Sequence, residues 1–154
     1  MKFTSKFHGG IKALVDIALY DEGDGVLLKD IAQRNYLSIR FLDQIAATLK
    51  KNQLIFKNKG YRTGYRLSKD PNSISLYDVY IAFEGKLDVY HCIDEATPCP
   101  VSSSCATHFT LENLNKEVIL LLRNQTIADV CQLQDQLNHQ SELKLAGSIN
   151  DNER

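Results

Sequence analysis

Residues 50–69 constrain the fold more than any other part of this 154-residue sequence. They include seven lysines and arginines and no acid. Two short segments of strand-like composition, residues 54–56 and 65–67, flank a turn that contains Gly60 and Gly64, and this pattern predicts a β-hairpin. A basic run without any acid is hard to explain by solubility alone, so the hairpin indicates a polyanionic partner.

Three helices are predicted ahead of this hairpin. Apolar residues recur at helical spacing over residues 4–20 and again over a shorter helix at residues 27–35. After a tight connection, Ser38 is positioned to cap a third helix that reaches Lys51. Two helices joined by a tight turn and followed by a basic hairpin predict a winged helix-turn-helix.

The third helix divides into an apolar and a polar face. Its polar side carries the side-chain types that read bases, because arginine can fork onto guanine, glutamine onto adenine, and aspartate can accept from cytosine N4. A solvated polar face would look the same on this helix alone, but the basic hairpin that follows favours DNA binding. The candidate DNA-binding residues of the helix and hairpin are Ser38, Arg40, Asp43, Gln44, Lys51, Lys57, Lys59, Tyr61 and Arg62.

Charge is divided unevenly between the two halves of the chain. Residues 1–69 hold thirteen Lys and Arg against six Asp and Glu, whereas residues 70–154 hold five against thirteen, so a formal net charge of -1 hides a basic front half. The longest aliphatic run, residues 118–122, is too short to cross a membrane or to form a signal-peptide core. We therefore expect a soluble, cytoplasmic protein that binds double-stranded DNA and no membrane.

The second half is predicted to be helical. Ser75 and Asp78 have capping-box spacing at the start of a fourth helix, and Thr126 and Asp129 repeat that spacing before a last helix. Between them a long helix is expected from about Thr110. Its apolar residues cover more sides than one small domain can bury, which predicts a partner helix from a second copy. The fold class is therefore mainly α with a small β-wing: a winged helix-turn-helix domain plus a long dimerisation helix.

Three of the four cysteines and two of the four histidines lie within residues 91–108. Soft thiolates grouped in this way suit zinc, Cu(I) or an iron-sulfur cluster. A disulfide framework would leave one thiol unpaired unless the distant Cys131 joined it. Structural zinc is the stronger rival, but the spacing of Cys92, Cys99 and Cys105 is wider than zinc sites commonly use and suits something larger than one ion. No catalytic constellation accompanies these residues, so an enzyme is not expected.

Nearly the whole sequence, to about residue 137, resembles the IscR/NsrR family of bacterial winged-helix regulators. The three cysteines carry part of the likeness, and further segments extend it: residues 1–6, 28–32, 42–44, 49–55, 64–69, 73–79 and 126–129. The resemblance implies a homodimer whose long helices cross, with an iron-sulfur cluster held between the DNA-binding domain and the dimerisation helix. It also implies a repressor that binds a pseudo-palindromic operator and senses redox state, iron or cluster supply, or nitric oxide.

The resemblance assigns the cluster ligands as well. Cys92, Cys99 and Cys105 match the cluster cysteines, and His108 matches the histidine ligand of the IscR branch, which implies a 2Fe-2S rather than a 4Fe-4S cluster. The NsrR branch has an acidic ligand, from the partner subunit's first helix, at the position of His8 here. Both histidines therefore remain candidates for the fourth ligand. The implied organisation is a DNA-binding domain at 1–84, a cluster-binding loop at 85–109, dimerisation and C-terminal helices at 110–137 and a flexible tail at 138–154.

The sequence also departs from the family pattern. Asp43 stands where IscR has glutamate, and the wing lacks the frequent Arg-Gly-x-x-Gly-Gly, so that Arg62 is the remaining candidate for a minor-groove arginine. The interval from Cys92 to Cys99 is one residue longer than in IscR. These differences bear on the target sequence and the cluster type. A winged-helix regulator with zinc or a thiol switch, and no iron-sulfur cluster, is the alternative.

Overall fold

The computed structural model describes residues 1–60, 63–94, 96 and 99–150, with side chains described up to residue 141. Its helices and strands are α1 (Ser5–Tyr20), α2 (Leu28–Asn35), α3 (Ile39–Lys51), β1 (Ile55–Lys57), β2 (Tyr65–Leu67), α4 (Leu76–Glu84), α5 (Ala106–Asn124) and α6 (Ile127–Asn150). Short 3-10 turns occur at Pro71–Ser73, His91–Ile93 and Ser102–Ser104. The two strands form an antiparallel sheet, so the prediction of a mainly α fold with a small β-wing is confirmed.

Side-chain caps fix most helix starts where the sequence predicts them. The Ser38 hydroxyl accepts a hydrogen bond from the backbone N–H of Phe41. Ser75 with Asp78 forms a complete capping box, and Thr126 with Asp129 exchanges the same pair of bonds at α6. A cap of this kind stabilises a helix by about 1 kcal/mol, so these positions define where α3, α4 and α6 begin.

Two helix limits differ from the prediction. The fifth helix begins at Ala106 rather than near Thr110, and its N-cap residue, Cys105, makes no capping hydrogen bond that would mark the start. The last helix continues to Asn150 instead of ending near Leu137. Residues 138–150 lack proline and contain many good helix formers, so the helix continues there without apolar periodicity. Residues 151–154 of the predicted tail lie outside the described residues.

One hydrophobic core joins the winged helix-turn-helix to the last helix. Leu14 of α1 is fully buried beside Ile31 and Ile45, and Ile127 at the start of α6 is fully buried in the same cluster. Burying an aliphatic side chain of this size contributes about 1.5–3 kcal/mol. The N-terminus of α6 is therefore fixed to the winged helix-turn-helix. There the backbone N–H of Ile127 donates a hydrogen bond of 2.9 Å to the carbonyl oxygen of Ile74.

A buried carboxylate ties α1 to α2. Asp16 is only 4% exposed, and its oxygens accept hydrogen bonds from Arg34 at 2.6 and 3.0 Å and from the Asn35 amide at 2.8 Å. The hydrogen bond to Asp16 raises the pKa of the Arg34 guanidinium, which also lies over the Tyr20 ring, 4.1 Å from its centroid. Removing either Asp16 or Arg34 would leave the other charge unpaired, and an unpaired buried charge lowers the stability of the fold strongly.

The hairpin is held to the body by backbone contacts. Val26 and Tyr65 exchange N–H to carbonyl hydrogen bonds of 2.9 and 2.8 Å, which adds a bridge beside the two-stranded sheet. Gly64 is required at this contact, because a Cβ atom there would stand 2.3 Å from the Val26 carbonyl carbon. The hairpin therefore has a fixed base on the body of the protein.

Candidate nucleic-acid interface and metal centre

The third helix has a buried apolar side and an exposed polar side, as its sequence pattern predicts. Leu42, Ile45 and Leu49 are fully buried. The candidate DNA-binding residues of this helix and its cap are all exposed: Ser38, Arg40, Asp43, Gln44 and Lys51. The helix thus packs with one side on the core and presents its polar side to a partner.

Two kinds of basic residue can be distinguished by their ion pairs. Arg34 and Arg66 are paired with Asp16 and Asp21. In contrast, the exposed cations of α3 and the hairpin have no ion pair within the described part of the chain: Arg40, Lys50, Lys51, Lys57 and Lys59. Positive charge left unneutralised on one surface suits a polyanion. The predicted contacts Tyr61 and Arg62 lie outside the described residues.

The third helix and the hairpin meet at a small pocket. Asp43 and Lys57 both line this pocket of about 290 Å³, together with Lys29 and Thr63. Asp43 therefore lies where the helix face joins the wing, between lysines from two other elements. Lys29 was not among the predicted contacts, because its position near the start of α2 gives no local signal of proximity to the wing.

Arg66 and Asp21 fix the wing to the turn after α1. The Arg66 Nε atom donates to Asp21 at 2.7 Å, and the backbone N–H groups of Gly23 and Gly25 donate to the other oxygen. Burial alone would raise the pKa of Asp21, but the hydrogen bond from Arg66 and those from the two glycines lower it below its ordinary value. The ionised carboxylate is thus the form that holds the wing.

The cysteine segment folds against the start of α5. Cys92 lies in one 3-10 turn, and Cys105 is the residue directly before the helix. A pocket of about 220 Å³ between these parts is lined by Cys92, Ile93, Asp94, Cys99, Ser102, His108 and Glu112. All of the cysteines are free thiols and half-buried. The structure therefore brings two predicted cysteine ligands and the predicted histidine to one cavity, whereas Cys105 lies outside its lining.

His108 makes a directed contact with the backbone of this segment. Its Nδ1 atom lies 3.1 Å from the carbonyl oxygen of Cys92. A carbonyl oxygen can only accept, so the contact requires the proton on Nδ1, and in the neutral tautomer that has this proton Nε2 carries a free lone pair. Histidines that ligate metals usually donate their other ring N–H in this way.

Further polar contacts hold the segment that leads into Cys92. The backbone N–H of Val89 donates to the Asn115 side chain of α5 at 3.0 Å. Lys86 bridges Asp88 and Asp94, at 3.3 Å from each. Val89 and Asn115 are far apart in sequence, so no local pattern predicts their contact.

Glu112 adds a carboxylate to the same pocket. It lies four residues after His108 and therefore on the same face of α5. Lys116 donates to Glu112 at 2.8 Å, and this hydrogen bond lowers the pKa of the Glu112 carboxyl group. The spacing from His108 would have identified Glu112 if the helix had been predicted to start at Ala106.

The remaining cysteine and histidines lie apart from this pocket. His8 is exposed on α1, and the exposed His91 ring packs on Tyr90 with 4.1 Å between ring centroids. Cys131 lies on α6 against the core, where burial raises the pKa of its thiol and the Asp135 carboxylate raises it further. Among the residues that the structure describes, no three His, Cys, Asp or Glu side chains converge closely enough to hold a metal ion.

The fifth helix carries apolar side chains that its own chain does not cover. Leu122 is its buried residue, and Val118 and Ile119 pack partly on the core. Several large apolar residues of α5 and α6 are about half exposed or more: Phe109, Leu114, Leu120, Leu121, Leu133 and Leu137. Leu114 and Leu121 are seven residues apart and share one side of the helix.

Residues 3–133 match the Rrf2 family, which is described as iron-dependent transcriptional regulators. This chain belongs to the Rrf2 family. The match spans the winged helix-turn-helix, the cysteine segment, α5 and the start of α6. As an Rrf2 protein it is a DNA-binding transcription regulator and not an enzyme, as the sequence predicted.

Relatives within the Rrf2 family cover most of the chain. The transcriptional regulator IscR of Yersinia pseudotuberculosis is 31% identical over 135 residues, which is 88% of this chain and 82% of that protein. Among solved structures, T. potens IscR is similar with a TM-score of 0.67 and 29% identity, covering 88% of each chain. The oxidized form of Staphylococcus aureus CymR has a TM-score of 0.65 and 26% identity over 85% of this chain and 96% of that one. The predicted likeness to IscR is confirmed.

Within the described residues, none of the helices combines the length and the apolar character needed to cross a membrane. The exposed apolar residues of α5 lie on a helix of mixed character, with charged residues such as Glu117 and Arg123 among them. A mixed helix of this kind suits a protein interface.

Proposed function

We propose that this Rrf2 regulator is a homodimeric repressor whose DNA binding depends on an iron-sulfur cluster. The observation that carries the proposal is the grouping of Cys92, Cys99 and His108 around one pocket at the start of α5. Likeness to IscR over most of the chain supports it. In this proposal residues 1–84 bind DNA, residues 85–109 hold the cluster, and α5 joins two copies.

The donor chemistry of the segment fits an iron-sulfur cluster. Cys92, Cys99 and Cys105 offer thiolates, and His108 offers an imidazole nitrogen, a mixed set that iron-sulfur proteins use. Cys105 directly precedes the first turn of α5, in which His108 lies. Because Cys105 is not in the pocket lining, it would have to move toward the pocket to complete the set. When bound, the cluster would supply iron–thiolate bonds that respond to oxidation, iron shortage or nitric oxide.

His108 is favoured as the fourth ligand over His8. The bond from Nδ1 to the Cys92 carbonyl oxygen leaves Nε2 available and fixes the direction of the ring. His8 is exposed and would have to come from the partner subunit's first helix. A three-cysteine, one-histidine set favours the 2Fe-2S type over the 4Fe-4S type, as the likeness to the IscR branch implies.

A second copy of the chain is the proposed cover for the apolar side of α5. Leu121 is 62% exposed and Leu114 is 50% exposed. Their seven-residue spacing suits packing against another helix. A two-fold dimer would present two copies of α3, and such an arrangement matches a pseudo-palindromic operator of double-stranded DNA.

The contacts of the cysteine segment link this site to the DNA-binding body. Asn115 and His108 of α5 hold Val89 and Cys92, and the segment follows α4 directly. A change in the position of residues 89–94 would therefore alter the angle between α5 and the winged helix. In a dimer that angle sets the spacing of the two reading helices, and a small change weakens binding to both half-sites.

The proposal is tested by measuring duplex affinity with and without the cluster. A duplex is selected from a random-sequence pool by anaerobically purified wild type, and its binding is measured before and after air exposure and chelation. Wild type should lose or shift its affinity on treatment, whereas Cys99→Ala should show one affinity throughout. Equal affinity of treated and untreated wild type would contradict cluster-dependent binding.

The same thiols support a second candidate, a regulator switched by zinc or by thiol oxidation. Cys92 and Cys99 line one pocket as free thiols, and a relative of this fold, CymR, is known in an oxidized form. In that case the purified protein would be colourless, with zinc or a disulfide in place of iron and sulfide. Elemental analysis of the same samples therefore separates the two candidates.

A further inference from the structure

Tyr36 occupies an unusual position in the turn between α2 and α3. It is the C-cap of α2 with φ 53° and ψ 42°, in the left-handed region. Glycine and asparagine adopt this conformation readily, whereas a bulky aromatic residue rarely does. Hydrogen bonds from its own N–H and from Leu37 N–H to the Ala32 carbonyl oxygen fix the turn, so the conformation is imposed by the fold.

Within the described residues, no hydrogen bond or ring contact of the Tyr36 side chain offsets its unfavourable backbone conformation. The residue is 96% exposed, more than any other large apolar residue of the described chain. No hydrogen bond or ring contact involves its side chain within the described residues. Strained residues that gain nothing from the fold often serve a binding site. A ring held outward by a fixed turn is already positioned for a partner.

The place of Tyr36 indicates which partner it contacts. It lies two residues before Ser38, and the exposed Arg40 follows in the first turn of α3. In a helix-turn-helix the start of the second helix enters the major groove, so the turn before it lies over the bordering phosphates. Tyrosine hydroxyls are common donors to phosphate oxygens.

We propose that the Tyr36 hydroxyl donates a hydrogen bond to a DNA phosphate at the edge of the major groove that α3 enters. This inference rests on the proposed DNA-binding role of residues 1–84. Tyr36 positions the helix on the backbone without reading bases. Its contribution is therefore the same on every sequence and, since the hydroxyl is neutral, releases no counterion.

The test uses a mixed-sequence duplex of known length at low salt, with full-length protein. Tyr36→Phe removes only the hydroxyl and should weaken binding by about three- to tenfold, the usual net contribution of a single hydrogen bond. The dependence of affinity on salt should keep its slope, because no cation is lost. Sedimentation should give the wild-type oligomeric state, which excludes a role for the hydroxyl between subunits.

A matched pair of asparagine variants separates binding from strain. Besides Tyr36, Gln53 is the other non-glycine residue of the described chain in the left-handed region. It has φ 56° and lies just after α3. Tyr36→Asn and Gln53→Asn should both keep or raise the melting temperature, since asparagine suits this conformation. Only Tyr36→Asn should weaken duplex binding.

The outcomes are distinct. Wild-type affinity of Tyr36→Phe would overturn this inference alone, as would a lowered melting temperature of Tyr36→Asn, which would assign the ring to the fold. Failure of wild type to bind any duplex would overturn the proposed function and this inference together.

Discussion

The imidazole Nδ1 atom of His108 lies 3.1 Å from the carbonyl oxygen of Cys92 and joins the first turn of α5 to the cysteine segment. Because Nδ1 must carry the proton in this contact, Nε2 is the ring atom left to bind another group. One residue thereby closes the segment onto the helix and offers a ligand to the pocket that Cys92 and Cys99 line.

Replacing His108 with alanine should reduce the iron retained by anaerobically purified protein, because the change removes both the candidate ligand and the contact with Cys92. His91→Ala is the matched control: His91 is exposed beside Cys92 and packs on Tyr90, and its loss should leave the iron content unchanged. Iron is measured per chain after gel filtration. If His108→Ala keeps its iron while His8→Ala loses it, the partner's His8 is the ligand instead.

Arg40 and Lys57 should affect DNA binding in different ways. Arg40→Lys keeps the charge but removes the fork that pairs with a base edge, so it should cost about 1–3 kcal/mol of discrimination between the selected duplex and a mutated one. Lys57→Gln should weaken binding to both duplexes equally and reduce the salt slope by about 1. Each variant is the other's control in a salt titration. A loss of discrimination in Lys57→Gln alone would reverse the assigned roles.

Leu121→Glu should convert the proposed dimer to a monomer. Leu121 is 62% exposed in the single chain, so a charge there costs the monomer little but would be buried in a helix–helix interface. Sedimentation equilibrium gives the mass, and circular dichroism shows whether the fold is kept. Lys116→Gln, a change at an exposed site on the other side of the same helix, should leave the proposed dimer intact. A dimeric Leu121→Glu protein would exclude this side of α5 as the interface.

Asp16→Ala should destabilise the fold by about 1–3 kcal/mol, because Arg34 and Asn35 lose the carboxylate that they share. Arg34 is 34% exposed, so solvent can take up part of the loss, which keeps the expected value below that of a fully buried pair. Urea denaturation measures the free energy of unfolding. Glu22→Gln, at an exposed site in the turn after α1, should match wild type, and an Asp16→Ala protein as stable as wild type would refute the role of this network.

Acid should loosen the wing through Asp21. Its folded-state pKa is lowered, so its ionised form contributes stability above the ordinary pKa of an aspartate, about 3.9, and this contribution is lost as pH falls below that value. Asp21→Asn should therefore be less stable than wild type at neutral pH and should approach it as the pH is lowered toward 2. The free energy of unfolding from pH 7 to pH 2 shows this convergence, and parallel curves would contradict it.

The sequence allowed much of the fold to be predicted, because local signals mark its first four helices and its wing. Ser38, Ser75 and Thr126 stand at helix starts as capping residues, and Gly64 marks the close approach of the wing to Val26. The start of α5 was missed because Cys105 makes no capping bond. The continuation of α6 was missed because its end depends on helix propensity without apolar periodicity.

The candidate site was predictable in its residue types but not in its contacts. The grouping of cysteines near His108 is visible in the sequence. The bond from Val89 to Asn115 joins residues 26 positions apart, so it follows only from the packing of α5 against the segment before it. Such contacts are long-range properties of the fold, which a local pattern cannot contain.

Iron and acid-labile sulfide per chain, measured on wild type purified and reconstituted without oxygen, test the central claim most directly. The account predicts equal amounts of iron and sulfide, close to two of each per chain for a 2Fe-2S cluster, and their loss in Cys99→Ala. Protein that contains neither element after reconstitution, or one zinc ion per chain in their place, would contradict it.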